Sequence, residues 1–181
     1  AELPPLQHGV VTTAQKYTYV RERRANSGPE IDRWLGYLGL PPGNPYCAAF
    51  TIGCYYEAAQ ALNIKQPLPK IGRVSMLWAS AKKNPYKFQT FHSSRVKQGI
   101  EKVEPADIPI WSHNKLPGNS NWNGHTGIVL RQLSTNSFVS VEGNTSSGVA
   151  GSQREGDGVF VRTRALGIGT KFPVEGFIRV K

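Results

Sequence analysis

A change of hydrophobic period partway along the chain predicts an α+β protein, with helices first and an antiparallel β-sheet after them. Up to about residue 83 the apolar residues recur at helical spacing, whereas from residue 107 onward they alternate with a period of two. Helices grouped ahead of strands specify α+β rather than an alternating parallel sheet. At 181 residues the chain is expected to form a single domain, 1–181, long enough to bury a substantial core. An apolar fraction of 39%, with 19 glycines and 13 prolines, suits a fold with generous loops.

The elements follow in order. Residues 1–13 read as an extended leader, because Pro4-Pro5 opposes regular structure. A first helix is predicted over 14–24. A second begins at Ser27-Gly28-Pro29-Glu30, with Ser at the cap, Pro in the first turn and Glu three residues on. Ile31, Trp34, Leu35 and Leu38 form its apolar face, and Gly39 stops it. A third helix starts at Asn44-Pro45, Asn capping and Pro at the first helical position, and runs to about residue 62. Its buried stripe is Phe50, Cys54, Ala58 and Ala61, while a fourth helix over 74–83 presents Val74, Leu77, Trp78 and Ala81. Strands are predicted over 107–111, 126–133, 138–142, 159–164 and 177–180. The longest irregular stretch between strands, 112–124, is rich in Asn and Gly, carries Trp122 and leads straight into His125. That marks it as a candidate substrate-binding loop. Trp34 and Trp78 read as core, and Trp122 as the tryptophan at a binding surface.

Twenty-two Lys and Arg against 12 Asp and Glu give a net charge of +10, which draws a protein to polyanions. The basic residues are scattered, in small groups such as Arg21/Arg23/Arg24 and Lys82/Lys83, and no groove-reading motif accompanies them. Dedicated nucleic-acid binding is therefore not expected. No stretch approaches the roughly 18 apolar residues of a membrane span. No charged start followed by an apolar core marks a signal peptide in this chain.

The two cysteines, Cys47 and Cys54, would share a helix face about 10 Å apart along its axis. That is too far for a disulfide, so a thiol stays free for chemistry. With Asn44 as cap, Cys47 falls in the first helical turn, where unpaired amides and the helix dipole favour a thiolate and can receive an oxyanion. Cys54, deeper in the helix, reads as a small buried hydrophobe. His125 stands at a strand mouth, and an antiparallel hairpin turning near 134–137 brings it opposite a residue between 142 and 146, about 5 Å away. By the two-residue period Glu142 and Asn144 share a face, so either is placed to orient the imidazole. His8, His92 and His113 read as surface residues. Cys47, His125 and Glu142 with Asn144 thus supply a nucleophile, a base and an orienting group. Neither a zinc ligand set, a phosphate loop nor a dinucleotide fingerprint occurs, so no metal and no cofactor is expected.

Asn44-Pro45-Tyr46-Cys47-Ala48-Ala49-Phe50, then Gly124-His125-Thr126-Gly127-Ile128-Val129, then Glu142-Gly143-Asn144, in that order, resemble the CHAP family of cysteine, histidine-dependent amidohydrolases/peptidases. That family lies within the wider NlpC/P60 group. The resemblance runs from about residue 21 to 180. It implies a papain-like fold, with Cys47 as nucleophile, His125 as general base and then acid, Glu142 as the orienting third member and Asn144 completing the set. It implies hydrolysis of amide bonds in peptidoglycan or its stem peptides, by a monomer that is secreted or acts in the periplasm or cell envelope. Anionic wall polymers are further candidate partners, and Tyr46, Trp122 and Gly124 candidate substrate-binding residues. Tyr46 stands where the family often has Trp, Pro105-Ala106-Asp107 replaces a more usual Gly-Asp turn, and no Asp-rich calcium loop is present. Alternatives on the same fold are a protein-directed cysteine protease and an antibacterial toxin amidase. A non-catalytic wall-binding module is the alternative from another class.

Overall fold

The computed structural model describes residues 2–113, 115–145, 157–166 and 172–181. Five helices, α1 (Pro5–Lys16), α2 (Pro29–Tyr37), α3 (Cys47–Ala61), α4 (Val74–Lys82) and the short α5 (Ser93–Lys97), accompany seven strands. These are β1 (Phe88–His92), β2 (Ile108–His113), β3 (Asn123–Thr126), β4 (Ile128–Ser134), β5 (Ser137–Thr145), β6 (Gly158–Ala165) and β7 (Val174–Val180). The fold is α+β, as the change of period predicts. All strand pairings are antiparallel, but they form two sheets, β1-β7-β2-β3 and β4-β5-β6, where the sequence suggested one. No described helix is long and apolar enough to cross a membrane.

The expected extended leader is instead helical from Pro5. A proline in the first turn donates no amide that the helix needs, and its fixed φ suits the start. Leu6, Val10, Ala14 and Tyr17 then recur at helical spacing. Gly9 lets this helix lie close on α3, since a Cβ there would stand 3.1 Å from that of Ala58. The helix predicted over 14–24 ends early, after a single 3₁₀ turn at Tyr17–Tyr19. Val20 is extended, and the chain beyond it pairs with the start of β6 through Val159 N–H to Val20 O at 3.1 Å and Glu22 N–H to Asp157 O at 2.8 Å. That edge offers the backbone a ladder, which outweighs the helical preference of Arg21–Arg24.

Helix α2 starts where the sequence places it, but Gly28 is its cap. Ser27 instead donates its hydroxyl to Asp32 at 2.9 Å. It stops at Gly39, in the left-handed region with φ 75°. Helix α3 is buried on every side from Cys47 to Tyr55 rather than along one stripe, and Ala61 is exposed. It is the axis around which α1, α2 and β5 pack. Gly53 is its contact with α2: a Cβ there would stand 2.6 Å from the Trp34 ring. The α4 face, Val74, Leu77, Trp78 and Ala81, is buried as predicted, and so are Trp34 and Trp78. Strand β1 and helix α5 went unpredicted.

Two apolar clusters result. The larger joins the helices to the inner faces of the sheets, and the smaller, built on Trp111, Phe138 and Phe177, lies between the sheets. The sheets are tied directly where Ala106 N–H donates to Val129 O and Val129 N–H to Asp107 O, both at 2.9 Å. Arg179 grips the Asp107 carboxylate with two bonds, at 2.9 and 2.8 Å. Ala106 takes the left-handed φ of 74°.

Gly53→Ala is expected to destabilise the protein. Overpacking against a rigid indole costs about 1–3 kcal/mol, and improved helix propensity returns at most about 1 kcal/mol. A lower midpoint in urea unfolding with an unchanged slope is the expected outcome.

Candidate active site

The three stretches singled out in the sequence meet in space. Tyr46, not Asn44, is the cap of α3, with φ −120° and ψ 15°, so Cys47 is the first helical residue. Asn44 instead turns its side-chain amide back to Pro41 O at 2.9 Å, and Pro45 lies outside the helix. The first bond of the helix is Phe50 N–H to Tyr46 O, at 2.8 Å, which leaves the amides of Cys47, Ala48 and Ala49 outside the ladder. The thiol therefore sits among the free donors of the helix start. Neither Cys47 nor Cys54 is in a disulfide, and burial pushes the Cys54 thiol well up, as befits an inert core residue.

The strand predicted over 126–133 is broken at Gly127. His125 lies on β3, paired with Trp111 of β2 in the four-stranded sheet, while Ile128 opens β4 in the other sheet. A Cβ at Gly127 would stand 2.7 Å from both Val141 O and Glu142 Cγ, so only glycine lets the chain cross between sheets at this point. The crossing sets His125 on Glu142: Nε2 and Oε1 are 2.7 Å apart, with 1% and 0% of the side chains exposed. With Nε2 so occupied, Nδ1 is the ring nitrogen left for Cys47, which lies close enough to the imidazole to raise its pKa. Trp111 backs the ring at a centroid distance of 5.3 Å.

Glu142, rather than Asn144, is thus the group on His125. Past Glu142 the β5–β6 register shifts and Asn144 turns to φ 58°, which breaks the two-residue alternation that would have put both on one face. Asn144 lines the cleft instead. Gly143 between them fits against α3, where a Cβ would stand 2.7 Å from Phe50 Cβ. Phe50 is one turn beyond Cys47, so this contact holds the Glu142 strand against the Cys47 helix.

Glu142 has further partners that the sequence reading missed. Arg164 of β6 grips its carboxylate with two bonds, one of them Nε to Oε2 at 2.8 Å, and Ser140 donates its hydroxyl. Burial alone would raise this carboxyl, but Arg164 and His125 outweigh it and bring its pKa to about 2. Burial likewise works to lower His125. Its close contacts with Cys47 and Glu142, and their charge, raise it above the usual 6.5. No local pattern in the sequence marked Arg164, because its role comes from the pairing of β6 with β5.

Cys47, His125 and Asn144 open on a cleft of about 360 Å³, together with Asn44, Gly124 and Arg73. Of the expected substrate-binding residues, Gly124 lines this cleft. Tyr46 is fully buried in the core, so it supports the helix start from inside rather than meeting a ligand. Trp122 is 4% exposed and packs in the core beside Gly124, away from the binding surface expected for it. Its loop, 112–124, is described apart from Asn114. His8 and His92 are exposed as expected, but His113 is buried with its ring on Phe172, centroids 4.2 Å apart. Among the described residues no group of three or more His, Cys, Asp or Glu side chains is placed to hold a metal ion. No protein-family model and no curated protein matches the chain.

Arg164→Met removes one cation from a carboxylate that keeps no exposed surface. A loss of about 3–5 kcal/mol in urea unfolding is expected. Because the Glu142 pKa lies below its ordinary 4.5, its contribution to stability is present above that pH and lost as pH falls toward 2. In the variant the carboxyl moves back up, so stability should fall less steeply over that window.

Proposed function

We propose that this chain is a papain-like cysteine hydrolase of the CHAP type that cleaves amide bonds in peptidoglycan. The observation that carries the reading is the continuous chain from Cys47 at a helix start, through His125, to the sealed carboxylate of Glu142. In this reading the Cys47 thiol gives its proton to His125 Nδ1 and the sulfur attacks the amide carbonyl, forming a C–S bond. Negative charge on the carbonyl oxygen is received by amides at the start of α3. The tetrahedral species collapses as the C–N bond breaks, and the imidazolium protonates the departing amine. Water, deprotonated by the same imidazole, then attacks the thioester and releases the acid and the free thiol. Glu142 accepts from Nε2–H throughout, which fixes the tautomer and steadies the imidazolium. Asn144, beside the nucleophile, is assigned to the substrate's side of the cleft. The net charge of +10 suits an anionic, wall-bound substrate.

Cys47→Ala is expected to fold, since it trims one buried sulfur, and to release no muropeptides from purified wall above a no-enzyme control. Mass spectrometry of the digest reads the result and identifies the bond; normal release by the variant would refute the assignment. A parallel digest of folded proteins separates wall cleavage from a protein-directed protease.

The pH dependence follows from His125. The proton that His125 passes to the leaving amine is the one it shares with Cys47, so activity should fall as pH rises past the point where the pair loses that proton, above 6.5. Glu142→Gln removes a charge that holds the value up and should move this alkaline limb to lower pH in a kcat/KM profile.

A further inference from the structure

On the reading of the site as a peptidoglycan amide hydrolase, we propose that Arg73 determines specificity by pairing with a free carboxylate of the stem peptide near the scissile amide. Arg73 is the cap residue of α4, exposed, and part of the cleft lining that includes Cys47 and His125. Its position is fixed from both sides of the catalytic pair. On the Cys47 side, a Cβ at Gly72 would stand 2.9 Å from Leu40 Cδ1, in the loop that leads to α3. On the His125 side, Val74 Cβ is 3.0 Å from where a Cβ of Gly124 would stand. Residues 72–74 therefore lie between the Leu40 loop and the Gly124 strand, which places Arg73 at the junction of the two halves of the site.

The guanidinium is also aimed. One of its N–H groups donates to the Asn121 side-chain oxygen, and Asn121 is itself held by its N–H bond to Asn119 Oδ1 at 2.9 Å. A guanidinium has five N–H donors, so most remain for a ligand. Arg73 makes no ion pair with a carboxylate among the described residues. Apart from Cys47 and His125, the rest of the polar lining is neutral, the amides of Asn44, Asn123 and Asn144 among it, and no described lining residue is an Asp or Glu. The first residues of α3 and α4, Cys47 and Val74, both line the cleft, which turns two positive helix ends toward it. One guanidinium, amides and helix starts without any acid form a receptor for a carboxylate. Arginine's planar fork suits that group better than lysine's point charge would.

The test uses a set of synthetic stem peptides in which each free carboxylate is converted, one at a time, to the primary amide. Wild-type protein should lose roughly 10- to 100-fold in kcat/KM on one of these amidated peptides, the range for a charge-assisted hydrogen bond. Arg73→Gln should cut that peptide and its acid parent at equal rates, with Arg73→Lys restoring part of the preference. Its melting temperature should match the wild type, since the side chain is exposed. Cleavage that depends on Cys47 but ignores every carboxylate, or discrimination that survives in Arg73→Gln, would overturn the proposal and leave the hydrolase reading standing. Absence of Cys47-dependent cleavage on every peptide would overturn both.

Discussion

Glu142 is sealed from water, and a carboxylate so placed is tolerable only when donors surround it. Here they come from three directions: His125 on β3, Arg164 on β6 and Ser140 on β5, the strand of Glu142 itself. Two sheets with separate ladders are thereby bound to one anion. Were any donor withdrawn, the remaining groups would face an uncompensated charge in a low-dielectric interior. The requirement to satisfy Glu142 therefore dictates the sheet crossing at Gly127, the placement of β6 and the orientation of the imidazole. The same anion then supplies the imidazole with a fixed tautomer, so stability and chemistry draw on one set of bonds.

Around that anion the packing leaves little slack. Helix α3 is enclosed on all sides near Cys47, with Gly53 against Trp34 and Phe50 against Gly143. Each contact is a place where a backbone comes close enough that a methyl group would collide. Close-packed interiors transmit small displacements, so the distance between the thiol and the imidazole depends on residues as remote as the α2 tryptophan.

Much of this was legible beforehand, for identifiable reasons. Strong helical periodicity in Val74, Leu77, Trp78 and Ala81, and the glycine stop at Gly39, were read correctly because local preference and burial agree there. Cys47, His125 and Glu142, singled out because reactive residue types stood at element boundaries, do lie together in the structure. Failures came where tertiary partners override local pattern. Pro4-Pro5 looks like a breaker, yet Pro5 opens α1 because α3 offers it a face. Arg21–Arg24 look helical, but the edge of β6 captures Arg21 and Glu22, and Arg23 and Arg24 close a turn on Ser27. Tyr46 and Trp122 looked like ligand contacts because large aromatics at loop ends often are, whereas here both fill the core behind the cleft. Arg164 and Arg73 carried no local signal at all, since their importance lies in what the fold sets beside them.

The near-complete enclosure of Cys47 and His125 has a consequence for what could approach them. Cys47 is 6% exposed and His125 1%. Under the proposed function, a carbonyl brought to that sulfur would have to arrive on a slender segment of chain, which short unfolded peptides supply and compact folded surfaces do not. Girth would then be the first criterion of selection, ahead of charge or sequence.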